Sequence, residues 1–258
     1  MSKTHCFIPD TQIRPGVKTN HIVAAGNYIA AKRPDVIVIG GDWWDMNSLS
    51  SYDKAGQKGW EDKDLFEDFH CGVVAMESFM AAVHNRTLQV GCSYNPEVYF
   101  LMGNHEDRVR RAREHPDSRR FSEYLTDANF QLSAWDIRVI PFLGIKKIDG
   151  ILYSHYFENP DSLLGNCIGG AIENKLRKLG HSFTMGHQQT YQSGSIYTAT
   201  GERRRGLVCG SFYQHEEEYR SVQKNKQHWR GIVFKHEVKN GDYDLMEVSL
   251  KYLLKEYS

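Results

Sequence analysis

Residues 35–45 read DVIVIGGDWWD, and the fold turns on what this stretch becomes. Val36–Ile39 is an unbroken apolar run, typical of a strand covered on both faces, as in a parallel sheet. Glycines follow it at once, and then come Asp42 and Asp45. The same grammar recurs at 98–108 (VYFLMGNHEDR), 6–16 (CFIPDTQIRPG), 151–157 (ILYSHYF) and 181–189 (HSFTMGHQQ). Each is an apolar strand that ends in side chains with oxygen or nitrogen donors.

The segments between these strands read as helices. Ile22, Ala25 and Ile29 form a helical stripe within Lys18–Lys32, which ends before Pro34. Leu65, Phe69, Val73, Met76, Met80 and Val83 mark a long amphipathic helix. Residues 1–113 are therefore strand–helix–strand–helix–strand, which predicts right-handed crossovers and a parallel sheet. A further helix is predicted over Ala171–Leu179, stopped by Gly180. After Gly194 the pattern changes to strand, turn, strand: GSIYTAT, GLVCGSFYQ, WRGIVFKHEV and YDLMEVSL. These predict a mainly antiparallel sheet region, 194–252, packed against the first sheet. With no internal repeat, low-complexity tract or linker, residues 1–258 are expected to form one α/β domain of two facing mixed β-sheets flanked by helices. The stretch 46–64, rich in Ser, Gly, Lys and Asp, reads as an insertion loop.

Composition narrows the function. The 258 residues include 32 basic and 32 acidic ones, so no global charge advertises a polyanion partner. Five scattered cysteines without a CxxC pair disfavour a disulfide framework and a structural zinc site, and suit a reducing cytoplasm. The N-terminus lacks an apolar leader and no run approaches membrane-spanning length. A cytoplasmic protein without a membrane partner is expected, and no protein partner is inferable.

Asp10, Asp42 with Asp45, Asn104 with His105, His155, and His187 with Gln189 all fall at the C-terminal ends of predicted strands. In an open α/β sheet those ends face one crevice, where ligands bind. Any one of them alone reads as a cap or a surface group, but five in one chain do not. In order, Asp10-Thr11-Gln12, Gly41-Asp42-Trp43-Trp44-Asp45, Gly103-Asn104-His105-Glu106, His155 and Gly186-His187-Gln188-Gln189 resemble the motifs of the calcineurin-like metallophosphoesterases. The segments at 41–54, 103–108, 180–189 and 228–238 also resemble a phage- and prophage-encoded branch of that family, which would place the protein in a host cytoplasm.

That resemblance implies a four-layer α/β/β/α sandwich and a hydrolase of phosphoric esters that uses two divalent metal ions. One ion would take Asp10, position 12, Asp42 and position 189. The other would take Asp42, Asn104, His155 and His187. Asp42 then bridges the pair, which activates hydroxide for in-line attack on phosphorus. His105 would serve the leaving oxygen, and Asp45 would hold its imidazole in the useful tautomer. Where the family motifs carry histidine, this chain has Gln12 and Gln189, both on the same ion. Two amide oxygens make that site harder and weaker, suited to Mg²⁺, Mn²⁺ or Ca²⁺ rather than Zn²⁺. The other site suits Mn²⁺, Fe²⁺ or Zn²⁺. Mn²⁺ fits both, while a single-ion enzyme in which a glutamine is no ligand remains the alternative.

The substrate is less legible. Arg108 is close enough to the crevice to grip a phosphate, whereas Arg110, Arg111, Arg113, Arg119 and Arg120 read mostly as a solvated face. Arg203–Arg205 are placed in a hairpin turn. Trp43 reads as packing, and Trp44 admits packing or stacking on a nucleobase. His215 and His236 are assigned to the second sheet as surface or supporting groups. A phosphodiester, nucleic acid or nucleotide is favoured; a phosphomonoesterase and a non-catalytic metal- or phosphate-binding module are the other readings.

Overall fold

The computed structural model describes residues 2–50, 64–90, 94–116, 122–216 and 228–258, and in it the apolar runs become strands. β1 (Lys3–Ile8), β2 (Val36–Ile39), β3 (Glu97–Leu101) and β4 (Ile137–Ile140) lie side by side and parallel. Helices α1 (Asn20–Lys32) and α2 (Leu65–Val90) fill the first two connections, as parallel neighbours require. A tight turn after β3 leads into α3 (Asp107–Glu114).

Side-chain alternation along these strands sorts the core into layers. Cys6, Ile8, Ile37, Ile39, Val98 and Phe100 face outward and bury Ile22, Ile29, Met76, Phe79 and Val83 of the two long helices. Phe7, Val36, Val38, Tyr99 and Leu101 turn the other way, against Ile151, Tyr153, Leu207 and Cys209 of a second sheet. That sheet holds β5 (Lys146–Ile148), β6 (Ile151–Tyr153), β7 (Ser182–Met185), β8 (Gln192–Tyr197) and β9 (Arg203–Val208), in the order β5-β6-β7-β9-β8. Its outer face, with Phe183, Met185 and Val208, packs on Ile172 and Leu176 of α4 (Ile172–Leu179). Gly180 caps that helix in the left-handed region, with φ 66°. The result is an α/β sandwich of two mixed β-sheets flanked by helices.

The C-terminal strands depart from expectation. β8 and β9 form a hairpin that completes the second sheet. β10 (Gly231–Lys239) instead pairs antiparallel with β1, and β11 (Asp242–Ser249) with β10, so both extend the first sheet. The expected antiparallel region over 194–252 is therefore divided between the two sheets. The cause is the open edge of β1, a strand buried on both faces that needs a partner as apolar as itself. β10 supplies one, since Ile232, Val233 and Phe234 are all fully buried. The chain ends in α5 (Leu250–Glu256), whose Leu250 and Leu253 join the cluster around α1. Of the expected insertion over 46–64, residues 51–63 lie outside the described residues, and Asn47–Leu49 form a short 3-10 turn. Cys6, Cys71, Cys167 and Cys209 are unpaired. Among the described residues no helix is long and apolar enough to cross a membrane.

One polar group sits deep between the sheets. Lys235 on β10 is fully buried, and its amine donates to the hydroxyls of Tyr153 and Thr184. It also lies over the Tyr153 and Tyr243 rings, 4.4 and 5.0 Å from their centroids. Nearby, the ring nitrogens of His5 meet Tyr153 Oη at 2.8 Å and Asp149 Oδ2 at 3.0 Å. Burial drives the Lys235 pKa well below the ordinary lysine value, and burial together with Lys235 lowers His5 to about 4. A lysine with a depressed folded pKa takes up a proton on unfolding, so its contribution to stability rises with pH until the unfolded amine itself titrates. Thermal unfolding between about pH 7 and about pH 9.5 should show this rise, and Lys235→Met should flatten it while gaining about 1 kcal/mol or more at neutrality. A pH slope untouched by the substitution would mean that the amine stays charged in the fold.

Candidate metal centre

Asp10 follows β1, Asp42 follows β2, Asn104 and His105 follow β3, His155 follows β6 and His187 follows β7. The crevice these loops form is drawn from both sheets, three loops from the first and two from the second. Backbone hydrogen bonds tie the loops together. The Asp42 carbonyl accepts from Thr11 N and Gln12 N at 3.1 and 2.8 Å, and the Asp10 carbonyl accepts from Phe212 N at 2.7 Å. Carboxylates finish the work: Asp42 Oδ1 accepts from His105 N and Asp10 Oδ1 from His187 N, each at 2.9 Å.

Donor atoms collect around Asp42. Its Oδ2 lies 3.4 Å from His155 Nε2, and the Asn104 amide oxygen lies 3.0 Å from that nitrogen and 2.7 Å from His187 Nδ1. Ligand atoms of Asp42, His155 and His187 lie within 4.8 Å of one another. His155 Nδ1 donates to the Gly40 carbonyl at 2.8 Å, which leaves Nε2 as the lone-pair nitrogen of a neutral ring. Burial opposes charge on every member, yet the members hold each other charged. His105 and His155 keep the Asp42 carboxyl far below its ordinary range, and Asp42 lifts His155 to about 10. Burial and the Asp42 charge push Asp10 up to about 6. These acids call for a cation, and a metal would take the place of the imidazolium proton.

The remaining candidates fit that demand. Asp10 Oδ2 and Gln12 Oε1 are buried without a hydrogen-bond partner, although buried acceptors are nearly always satisfied. Two orphan oxygens on the loop that is bonded to Asp42 suit a hard divalent ion. Gln189 is buried as well, and its Oε1 accepts from Tyr213 Oη at 2.8 Å. Tyr213 carries no signal in the sequence that would have linked it to the site.

His105 sits beside this cluster, its Nε2 3.7 Å from Asp42 Oδ2. Its Nδ1 lies 3.0 Å from Asp45 Oδ1 and 2.9 Å from the Asp45 carbonyl. Burial would lower its pKa, but Asp42 and the hydrogen bond to Asp45 outweigh that and raise it. Asp45 is braced in turn by Arg14 at 3.0 Å, a contact not foreseen from the sequence. Arg108 donates to the carbonyls of Asp45 and Met46 and reaches His105 Nε2 at 3.2 Å, so its guanidinium lines the His105 side of the cluster.

The loops are strained. Gln12 (φ 44°), Asp42 (φ 48°), His187 (φ 62°) and Gln189 (φ 57°) all adopt the left-handed region, at about 1 kcal/mol or more apiece. Such conformations persist only where the surroundings enforce them. Gly103 allows one of these contacts, since a Cβ there would lie 2.2 Å from Asp42 Oδ1. Gly186 allows another, with a Cβ position 2.4 Å from Asp10 Oδ1.

Other expectations fall out as follows. Trp43 and Trp44 are both fully buried and donate to the carbonyls of Gly72 and Phe69 on α2, so neither can stack on a base. Arg203–Arg205 begin β9 instead of forming a turn, and Arg205 lies over the Tyr243 ring. His236 belongs to β10 of the first sheet, against Phe234, and His215 stacks on Tyr213. Arg110 pairs with Asp107 and Glu114. Arg119 and Arg120 lie outside the described residues.

Glu106 is the group that sequence reasoning underused. It is fully buried; Oε2 accepts from Asp42 N at 2.9 Å and Gly103 N at 2.8 Å, and Oε1 from Trp44 N at 3.0 Å. Burial and the nearby Asp42 charge raise its pKa to about 7. Its place as the fourth letter of Gly-Asn-His-Glu was the available signal. Glu106→Ala would strand three buried N–H groups and should cost about 3 kcal/mol or more in chemical denaturation. Glu106→Gln should recover part of that loss, and a cost for the alanine variant below about 1 kcal/mol would contradict the role.

No protein-family model matches the chain, and no curated protein matches it. Among solved structures, the crystal structure of a dimetal phosphatase from Danio rerio aligns over 96% of this chain and 96% of that one, at 10% identity and a TM-score of 0.43.

Proposed function

We propose that the protein is a metal-dependent phosphoesterase. The observation that carries this reading is the meeting of Asp42, His155 and His187 beside His105, with Asp10 Oδ2 and Gln12 Oε1 buried and unpartnered. Asn104, His155, His187 and Asp42 would hold one divalent ion, and Asp10, Gln12, Asp42 and Gln189 a second, weaker one. Mn²⁺ is the ion that tolerates both the mixed and the all-oxygen set. Ions bound there supply Lewis acidity toward phosphate oxygens and an acidified water.

The chain's own residues do the rest. The Gly40 carbonyl fixes His155 with Nε2 toward the centre. Asp45 orients His105 through Nδ1, leaving Nε2 on the side of Asp42, where a raised pKa suits a proton donor to a leaving oxygen. Arg108, on the same side of the imidazole, adds positive charge where negative charge would develop in the transition state. A phosphodiester, from a nucleic acid or a nucleotide, is the substrate class we favour.

The test is turnover. Mn²⁺-loaded protein should hydrolyse bis(p-nitrophenyl) phosphate faster than p-nitrophenyl phosphate, and EDTA should abolish both. The reverse order would favour a phosphomonoesterase. Inertness toward both esters, with Mn²⁺ binding demonstrated by calorimetry, would leave a binding module instead. His105→Ala should lose about 100-fold or more in turnover while binding Mn²⁺ unchanged. Gln189→Ala should weaken only the looser phase of a Mn²⁺ titration.

A further inference from the structure

We infer that Tyr156, backed by Phe142 and flanked by Arg111, forms a stacking subsite for an aromatic base carried by the substrate. The inference rests on the phosphoesterase reading and narrows its substrate to a nucleotide-type ester. Tyr156 follows His155 directly, and its ring lies 4.6 Å from the His187 ring at an interplanar angle of 40°. It also stands edge-on to His155, at 5.9 Å. One side of the candidate centre is therefore walled by a phenol in contact with two of the proposed ligands.

That phenol is only partly buried. Phe142, also partly exposed, meets it edge-on at 5.6 Å. Phe142 is presented by a tight turn in which Gly144 N donates to the Pro141 carbonyl at 2.8 Å and Leu143 adopts φ 63°. Two partly exposed aromatic rings thus stand together beside the centre. Arg111 adds charge at the same place. Its side chain is 53% exposed, its Nε lies 3.4 Å from Asp107 Oδ2, and its NH2 group donates to the Asn104 carbonyl at 3.1 Å. Burial, with the charges of Glu158 and Asp107 nearby, raises the Tyr156 pKa.

A ring pair beside a charged group and a phosphate centre matches a nucleotide, a base joined to an ester phosphate. Stacking is sequence-tolerant, because every base offers a π face. The buried indoles of Trp43 and Trp44 cannot supply it, whereas Tyr156, in ring contact with His155 and His187, and Phe142 against it are partly exposed.

The deciding comparison uses two diesters with the same leaving group, thymidine 5′-(p-nitrophenyl phosphate) and methyl p-nitrophenyl phosphate. Mn²⁺-loaded wild type should prefer the nucleoside ester in kcat/KM. Tyr156→Leu should cut that preference about tenfold, leaving the methyl ester nearly untouched, and Tyr156→Phe should retain it. Equal losses on both esters would reduce Tyr156 to a support for His187 and overturn the inference, as would a wild type indifferent to the base. Calorimetric titration with thymidine 5′-monophosphate against inorganic phosphate reads the subsite without turnover. Should the protein prove inert toward both diesters and toward p-nitrophenyl phosphate as well, the phosphoesterase reading falls, yet tighter binding of the nucleotide that Tyr156→Leu abolishes would still support the subsite. Equal affinity for nucleotide and phosphate would sink it.

Discussion

The site depends on how Asp42 is held. Its backbone is forced into the left-handed region, where its carbonyl can accept two N–H groups from the Asp10 loop, its own N–H can donate to Glu106, and its carboxylate can reach His105 N. One residue thus ties together the loops after β1, β2 and β3. No single bond here is strong, each being worth about 1 kcal/mol net in isolation. They act together, because the strained conformation survives only while its partners stay in place. The short carboxylate of Asp42 is then set among three imidazoles and an amide, with no freedom to relax toward water.

The second sheet contributes the other half through a similar economy. His155 and His187 leave adjacent parallel strands, and Gly186 N donates to the His155 carbonyl at 3.0 Å, so the two histidines share one local frame. That frame docks on the first sheet through His187 N to Asp10 and His155 Nδ1 to Gly40. The donor atoms therefore lie on the seam between the sheets. Below them the interlayer core is mainly apolar, so its packing sets the distance across the seam. A change of even one methylene in such a core is felt by its neighbours, and here those neighbours lead directly into the ligand loops.

Much of this was legible in the sequence, for identifiable reasons. Val36–Ile39 and Val98–Leu101 are apolar without interruption because both their faces are covered, and the glycine and donor residues that follow them are local features. The helices over 20–32, 65–90 and 172–179 announce themselves by period and by Gly180. What stayed hidden involves choice of partner. WRGIVFKHEV reads as a strand, but nothing in it states that it will line up beside Cys6–Ile8 instead of the hairpin before it. Arg203–Arg205 read as a polar turn because charge was taken for exposure, whereas Arg205 lies along the Tyr243 ring. Tyr213 and Arg14 are ordinary residues until the fold carries them to Gln189 and Asp45.

Tyr213 bears on the glutamines themselves. Its hydroxyl donates to the Gln189 amide oxygen, and the peptide beside it, Phe212, donates to the Asp10 carbonyl. The tyrosine is thus anchored to the same loop that carries the orphan oxygens of Asp10 and Gln12. An amide oxygen has two lone pairs, so one can accept from Tyr213 while the other faces a cation. A neutral imidazole has a single acceptor nitrogen. It could keep that lone pair for a metal only by donating its N–H to the same hydroxyl oxygen, so that the tyrosine would have to turn its own proton elsewhere. On the proposed reading, the amide at position 189 is therefore matched to its tyrosine neighbour, and the weaker ion it holds follows from the supporting hydrogen bond as much as from the donor atom.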